Sequence, residues 1–417
     1  VQWYCFLLYG TAAGTVFHKV FFSQTGNGTT ALILSYMSFA IGYIAGPFGA
    51  VFFGHIGDRK GRKVTMYASL LMMGISTSII GILPPAASAG VGVVIVLQLM
   101  RLAQCFGRGG TWGGGILMAY ENVPENKRSF YAAIPQIGLP IGFGLSSILI
   151  AVPTLLLPED IFFTWGWRIP FLAAIILTVI VIRQKGEMME TEDYKKAQAK
   201  LEAEEAEGKK HKVGFIPMVK GYWKTLLLGC GTRWVDGTFY NIFIVWILSY
   251  CINWLGMPLI QTYIITIIAC IFKIPFTLFG GWCAQKLGNT RTFVIGALAS
   301  AVLSIPTLKV IELSKGNLAI TIIGIVLGWS IAYNLIWAVI SSLWSSYFET
   351  EVRYSGISFV YHVPSFLVAG MVPTICTLLI NYGKGDTIYV GIYSTVVALI
   401  SAACALALKA RHDRGEK

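Results

Sequence analysis

The sequence predicts an all-α membrane protein, with about twelve transmembrane helices in two pseudo-symmetric six-helix bundles. Three observations carry that expectation. The chain is 55% hydrophobic and only 12% charged. Apolar runs long enough to cross a bilayer recur from end to end. A weak repeat lies on either side of a charged central stretch.

In soluble domains about a quarter of the residues are charged, so water cannot be the solvent for most of this surface, and the mean hydropathy of +0.68 agrees. Runs of roughly 20 apolar residues, the length that spans a hydrocarbon core as a helix, begin near Trp3, Thr30, Val64, Val91, Ser129, Trp167, Trp223, Leu259, Thr292, Leu318, Gly356 and Thr387. Lipid offers the backbone no partners, so each run is a helix or part of a closed barrel. They are too long and too uniformly apolar for barrel strands. The eight cysteines stand singly, mostly inside these runs, without redox or zinc spacing. They read as packing residues, and neither a metal nor another cofactor is expected. Val1 already lies in an apolar segment with no basic leader, so no cleavable signal is read there.

A net charge of +12 would suggest nucleic acid in a soluble protein, but its placement gives another meaning. Arg59, Lys60, Arg62, Lys63, Lys127, Arg128, Lys195, Lys196, Lys209, Lys210, Lys286, Arg291, Arg353, Arg411 and Arg414 fall in every second connection or in the tail. The connections between, such as 23–29 and 84–90, are almost free of Lys and Arg. This is the positive-inside pattern. It places the even-numbered connections and both termini on the cytoplasmic side of the cell membrane, an inner membrane, with lipid rather than nucleic acid as the surrounding partner.

Between Gln184 and Lys224, acids and lysines alternate with alanine, the pattern of a solvated helix with charge pairs. This cytoplasmic linker, 185–224, separates a first bundle, 1–184, from a second bundle with its tail, 225–417. Gly54, Asp58, Arg59, Gly61 and Arg62 follow the second run of the first half; Gly281, Gln285, Lys286, Gly288 and Arg291 follow the second run of the other. Both sets are expected in the short turn between helices two and three of their half, the mark of duplicated bundles with a substrate path between them.

The stretch Gly54-His55-Ile56-Gly57-Asp58-Arg59-Lys60-Gly61-Arg62-Lys63 resembles the loop motif of the major facilitator superfamily, G-x-x-x-D-R-x-G-R-[KR]. Its acid and bases suit a charge lattice that latches one conformation, so Gly54, Asp58, Arg59, Gly61 and Arg62 are gating candidates. Five further stretches are similar to the metabolite:proton symporter branch: Trp3 to Phe6 with Tyr9 and Gly10, Arg101 to Gly114, Pro135 to Gly138, Gly166 to Phe171, and Arg353 to Gly356. The resemblance runs over essentially the whole chain. It implies the major facilitator fold and a carrier of osmolytes or organic acids. The branch reads E-W-Y-D in its first helix and G-G-E-W-G-G in its fourth, whereas this chain has Gln2, Cys5 and Thr111 at the acidic positions. Carboxylates are the usual proton carriers in such helices, so coupling through those three sites is not expected.

Within the fourth run, Arg101 and Arg108 lie two helical turns apart, with Gln104 and Thr111 near the same stripe. Arg108 stands where the branch has a small residue. A charge near the bilayer centre costs about 2.5 to 3.5 kcal/mol on insertion scales, so a partner is required, and an anionic substrate supplies one. For Arg101, substrate contact and bonding to neighbouring helices both remain open. The seventh run aligns Arg233, Asp236 and Tyr240 on one face. Arg233 and Asp236 read either as a structural pair or as a substrate contact, and Asp236 is the remaining proton-coupling candidate. Lys19 reads as snorkelling; Lys273, interrupting the eighth run, is harder to excuse. Gln2, Tyr9, Gln136, Trp112, Trp329 and Tyr333 complete the candidate binding set. The glycines at 109, 110, 113, 114 and 115 lack G-K-[ST] and read as helix-packing residues. His362 reads as a helix contact.

The expected function is movement of a small organic anion, a mono- or dicarboxylate, across the cytoplasmic membrane by alternating access, with proton coupling left open and a monomer as the working unit. A zwitterionic osmolyte symporter is the alternative, followed by a non-transporting sensor of the same fold. No nucleophile, base and orienting acid can be assembled within the membrane runs, so an enzyme is not expected.

Overall fold

The computed structural model describes residues 1–24, 27–60, 62–110, 123–124, 127–184 and 215–416. Among them there is no strand, and eleven helices are long and apolar enough to cross a membrane. In chain order the helices of the bundle are α1 (Gln2–Thr15, continued as Phe17–Val20 after a break at Val16), α2 (Gly28–Lys60), α3 (Arg62–Ile82), α4 (Val91–Gly109), α5 (Arg128–Leu156) and α6 (Glu159–Arg183). The second half holds α7 (Val219–Asn253), α8 (Leu259–Leu287), α9 (Asn289–Leu313), α10 (Leu318–Tyr347), α11 (Ser355–Tyr382) and α12 (Ile388–Asp413). α1, the twelfth, is the broken one.

Packing repeats between the halves. In the first, α2 lies against α4 and α3 against α6; in the second, α8 lies against α10 and α9 against α12. The halves then meet through α2 with α11 and α5 with α8, two contacts that a twofold axis would exchange. Large apolar side chains such as Phe48, Leu155, Leu156, Val302 and Leu367 face outward, as a lipid solvent requires.

Three expectations shift. The motif of 54–63 belongs less to a loop than to helix ends, because α2 runs to Lys60 and α3 starts at Arg62. Its counterpart in the second half is the same, α8 ending at Leu287 and α9 starting at Asn289 around Gly288, whose φ of +89° favours glycine. Gly61 itself and the side chains of Asp58, Arg59 and Arg62 lie outside the described residues. α6 begins at Glu159 rather than near Trp167, because an acidic pair after Pro158 suits a helix N-terminus although it interrupts hydropathy. The helix of α7 starts at Phe215, bent at Tyr222, so helical structure reaches into the segment assigned to the linker. The charged stretch 185–214 lies outside the described residues.

Candidate functional site

Close helix contact positions the first cation. A Cβ on Gly49 would sit 2.0 Å from the Phe106 carbonyl oxygen, and one on Gly109 would sit 2.4 Å from the Ala50 nitrogen. α2 and α4 therefore touch backbone to backbone, the packing role expected of Gly109, while Gly113, Gly114 and Gly115 lie outside the described residues. Arg108, beside them, turns its guanidinium toward the other half. Its Nη2 donates to the Tyr361 hydroxyl of α11 at 2.5 Å. The planar group lies 3.8 Å over the Phe6 ring and 5.5 Å from the Trp3 ring, so apolar faces shield it from water.

Tyr361 joins the halves. Arg233 of α7 lies 4.4 Å over the same ring and donates through Nη1 to the Asp236 carboxylate. The Tyr333 hydroxyl of α10 donates to the other oxygen of Asp236. Lys273 of α8 sits 4.4 Å over the Tyr333 ring and bonds the Asn334 side chain at 2.9 Å. Trp3 packs edge-on against Trp337 at 5.4 Å and tilted against Tyr240 at 6.4 Å, while the Trp337 indole donates to the Gln136 carbonyl at 3.1 Å. One polar belt thus crosses the interface, assembled from α1, α4, α5, α7, α8, α10 and α11.

Arg101 ends elsewhere. Wholly buried, it donates to Gln104 and, at 3.4 Å, to the Phe39 carbonyl; its guanidinium lies 4.3 to 4.7 Å from the rings of Phe6, Tyr9 and Phe39. Gln104 continues to the Cys5 carbonyl at 3.0 Å and to Thr77 at 2.7 Å, and Tyr9 bonds Ser38. All of these belong to the first bundle. Gln2 stands at the start of α1. Thr111 and Trp112 lie outside the described residues.

The belt is short of acceptors and of negative charge. Its buried cations among the described residues are Arg108, Arg233 and Lys273, and Asp236 is the buried carboxylate beside them. Nε2 of Gln136, the hydroxyl of Tyr240, Nε1 of Trp329, Nε of Arg233 and Nε2 of Gln2 are buried with no hydrogen-bond partner among the described residues. Such orphans are rare in packed interiors, and a bound polar solute could satisfy them. His362, edge-on to Tyr361 at 5.0 Å, abuts Gly46 of α2 and is likewise buried.

The halves touch on both sides of the belt. Toward the α1–α2 connection, Tyr36 bonds Ser249 at 2.5 Å and Thr15 approaches Tyr263 at 3.2 Å. Above these bonds lies an open cleft of about 610 Å³, with His18, Lys19 and Asn27 on one wall and Asn253, Trp254 and Asn381 on the other. Lys19 reaches Glu159 at 3.5 Å at that surface, as a snorkelling residue would. On the opposite side, α5 and α8 touch where the Phe130 amide meets Gln285 at 3.4 Å.

Tyr361 and Asn334 were not singled out by sequence. Their partners are distant along the chain, and no local spacing marks them. The buried lysine was the one available signal for Asn334.

A family profile described as Major Facilitator Superfamily matches residues 5–373. The chain is 34% identical to an inner membrane metabolite transport protein of Escherichia coli, over 99% of this chain and 92% of that protein. It is 32% identical to the shikimate transporter of the same organism, over 98% and 92%, and 27% identical to a proline/betaine transporter of Salmonella typhimurium, over 99% and 82%. Among solved structures, a D-xylose-proton symporter superposes with a TM-score of 0.71 at 17% identity, over 98% of this chain and 95% of that one, a likeness of fold.

Proposed function

The chain belongs to the major facilitator superfamily as a membrane-spanning secondary transporter, and on that premise we propose that its cargo is a small organic anion, moved across the cytoplasmic membrane by alternating access. The observation that carries this reading is the charge of the belt, in which, among the described residues, Arg233 and Lys273 are wholly buried beside one buried carboxylate, Asp236. Asp236 is already engaged by Arg233 and Tyr333. Cation in excess within a low dielectric is costly unless an anion compensates it.

Arg108 is the first residue assigned to that anion. A guanidinium holds a carboxylate through two parallel hydrogen bonds, and Trp3, against which it lies, packs on Tyr240 and Trp337, the latter bonded to Gln136. Alternating access requires the halves to rock, opening first the Tyr36–Ser249 side and then the α5–α8 side. Both termini are assigned to the cytoplasm by the alternation of basic connections. Gly54, Asp58, Arg59, Gly61 and Arg62 are the proposed latch at the α2–α3 turn.

Uptake into proteoliposomes from a panel of carboxylates, with pH and voltage gradients imposed independently, tests the cargo. Accumulation of a carboxylate that glycine betaine does not displace is the expected result. Displacement by glycine betaine, with no carboxylate accumulated, would replace this reading by the osmolyte one.

A further inference from the structure

Lys273 has surroundings that the transport of a simple monoanion does not explain. Its side chain is wholly buried, yet every group it touches is neutral. The ammonium donates to Asn334 Oδ1 at 2.9 Å and to the Trp329 carbonyl at 3.3 Å, and it lies 4.6 Å and 4.4 Å from the Trp329 and Tyr333 rings. No carboxylate forms an ion pair with it among the described residues; Asp236 acts on it from beyond Tyr333. Beside it, the buried Trp329 Nε1 has no acceptor among the described residues, and Phe143 of the first half closes over that ring edge-on at 5.9 Å.

Two neutral acceptors do not require a full charge, because a neutral amide could clip α8 to α10 without the cost of burying an ammonium. A lysine and an idle indole N–H on one wall form instead a pair of donors for an anion. Spacing relates this wall to Arg108. The widened turn of α10 over Val326–Ala332 is followed by Tyr333 and Trp337, so Trp329, Tyr333 and Trp337 mark successive levels of the site. Lys273 sits between the first two. Arg108 sits by Trp3, which packs on Trp337. Lys273 and Arg108 thus mark two levels of the site, to which the two ends of one ligand can be assigned.

We propose that Lys273 and Trp329 Nε1 form a second anion subsite, so that the transporter selects a dicarboxylate with one end on Arg108 and the other on Lys273. The inference rests on the organic-anion reading above and adds the requirement for two charges. A monocarboxylate would leave Lys273 uncompensated, and a zwitterion would bring its own cation toward it.

The test is binding of succinate and of butyrate, equal in chain length, to purified full-length protein in lipid nanodiscs. Wild type should bind succinate at least about tenfold more tightly, as expected for one added charge-assisted contact. Lys273→Met should abolish that preference by weakening succinate far more than butyrate, Lys273→Arg should keep it, and Arg108→Lys should weaken both ligands. Trp329→Phe, which keeps the ring and removes the N–H, should lower succinate affinity alone and serves if Lys273→Met does not fold. Equal loss of both ligands in the Lys273 and Trp329 variants, or an intact preference in them, would overturn the subsite. Wild type binding butyrate as well as succinate would overturn it too while leaving the organic-anion reading in place. Binding of glycine betaine with neither acid would overturn both.

Discussion

Arg101 and Arg108 stand two turns apart on α4 and touch the same ring, Phe6, yet they build regions of different kinds. Around Arg101 every partner named belongs to the first bundle: Gln104, Phe39, Tyr9 and, through Gln104, Cys5 and Thr77. Around Arg108 the contacts cross to the second bundle, through Tyr361 to Arg233 and Asp236. A network inside one bundle travels with it and persists through rocking of the halves. A network across the interface must rearrange whenever the halves part. The difference teaches that two buried arginines of one helix can be held by networks of different reach, one inside a bundle and one across the interface.

Arg108→Ala gives the largest expected effect, a loss of substrate affinity of roughly 2 to 5 kcal/mol if the paired anion is fully desolvated. Arg108→Lys should fall between, since an ammonium cannot reproduce the bidentate geometry. Isothermal calorimetry together with melting of the purified variants decides: unchanged affinity with lowered stability would move Arg108 into the same category as Arg101.

For Arg101→Ala the comparison expects the converse. Losing hydrogen bonds from a charged donor costs about 1.5 to 3 kcal/mol each, so the melting temperature in detergent should fall clearly while affinity in the folded fraction stays near wild type. A selective loss of affinity would erase the distinction between the two regions.

Asp236 sharpens the picture from the other side of the interface. With Gln2 and Cys5 neutral and Asp236 bound by Arg233 and Tyr333, uptake should depend weakly on an imposed pH gradient. Strong accumulation driven by external acid, abolished in Asp236→Asn, would place proton coupling on α7. Accumulation that survives the mutation would point to a proton carried by the substrate itself.

The smallest effect belongs to the periphery. Lys309 pairs with Glu312 at 3.0 Å and with Asp386 at 2.7 Å, tying the α11–α12 connection to α9. The Lys309 ammonium, with the Ile388 amide, holds the Asp386 carboxyl below its ordinary range. A depressed carboxyl stabilises the fold above its unfolded-state value and loses that contribution as the pH falls through the lower, folded-state value. Asp386→Asn should therefore lower the melting temperature slightly near neutral pH, with the difference from wild type vanishing in strong acid. A constant difference down to that range would remove the carboxylate from the clasp.

Much of the fold was legible in the chain because a bilayer imposes length and polarity on each span separately. Run, connection and repeat could be read locally, down to the breaks between Lys60 and Arg62 and at Gly288. Helix ends were less legible where charge entered a helix, as at Glu159, or where the helix outlasted the apolar run, as at Lys60. Of the candidate site, the sequence by itself determined which side chains are too costly to bury without a partner: Arg101, Arg108, Arg233, Asp236 and Lys273. Tertiary structure alone decided which partner each has. Tyr361 meets Arg108 across 253 positions of chain and Asn334 meets Lys273 across 61; spacing along one helix fixes a face, whereas the identity of what that face meets is set by how two bundles pack.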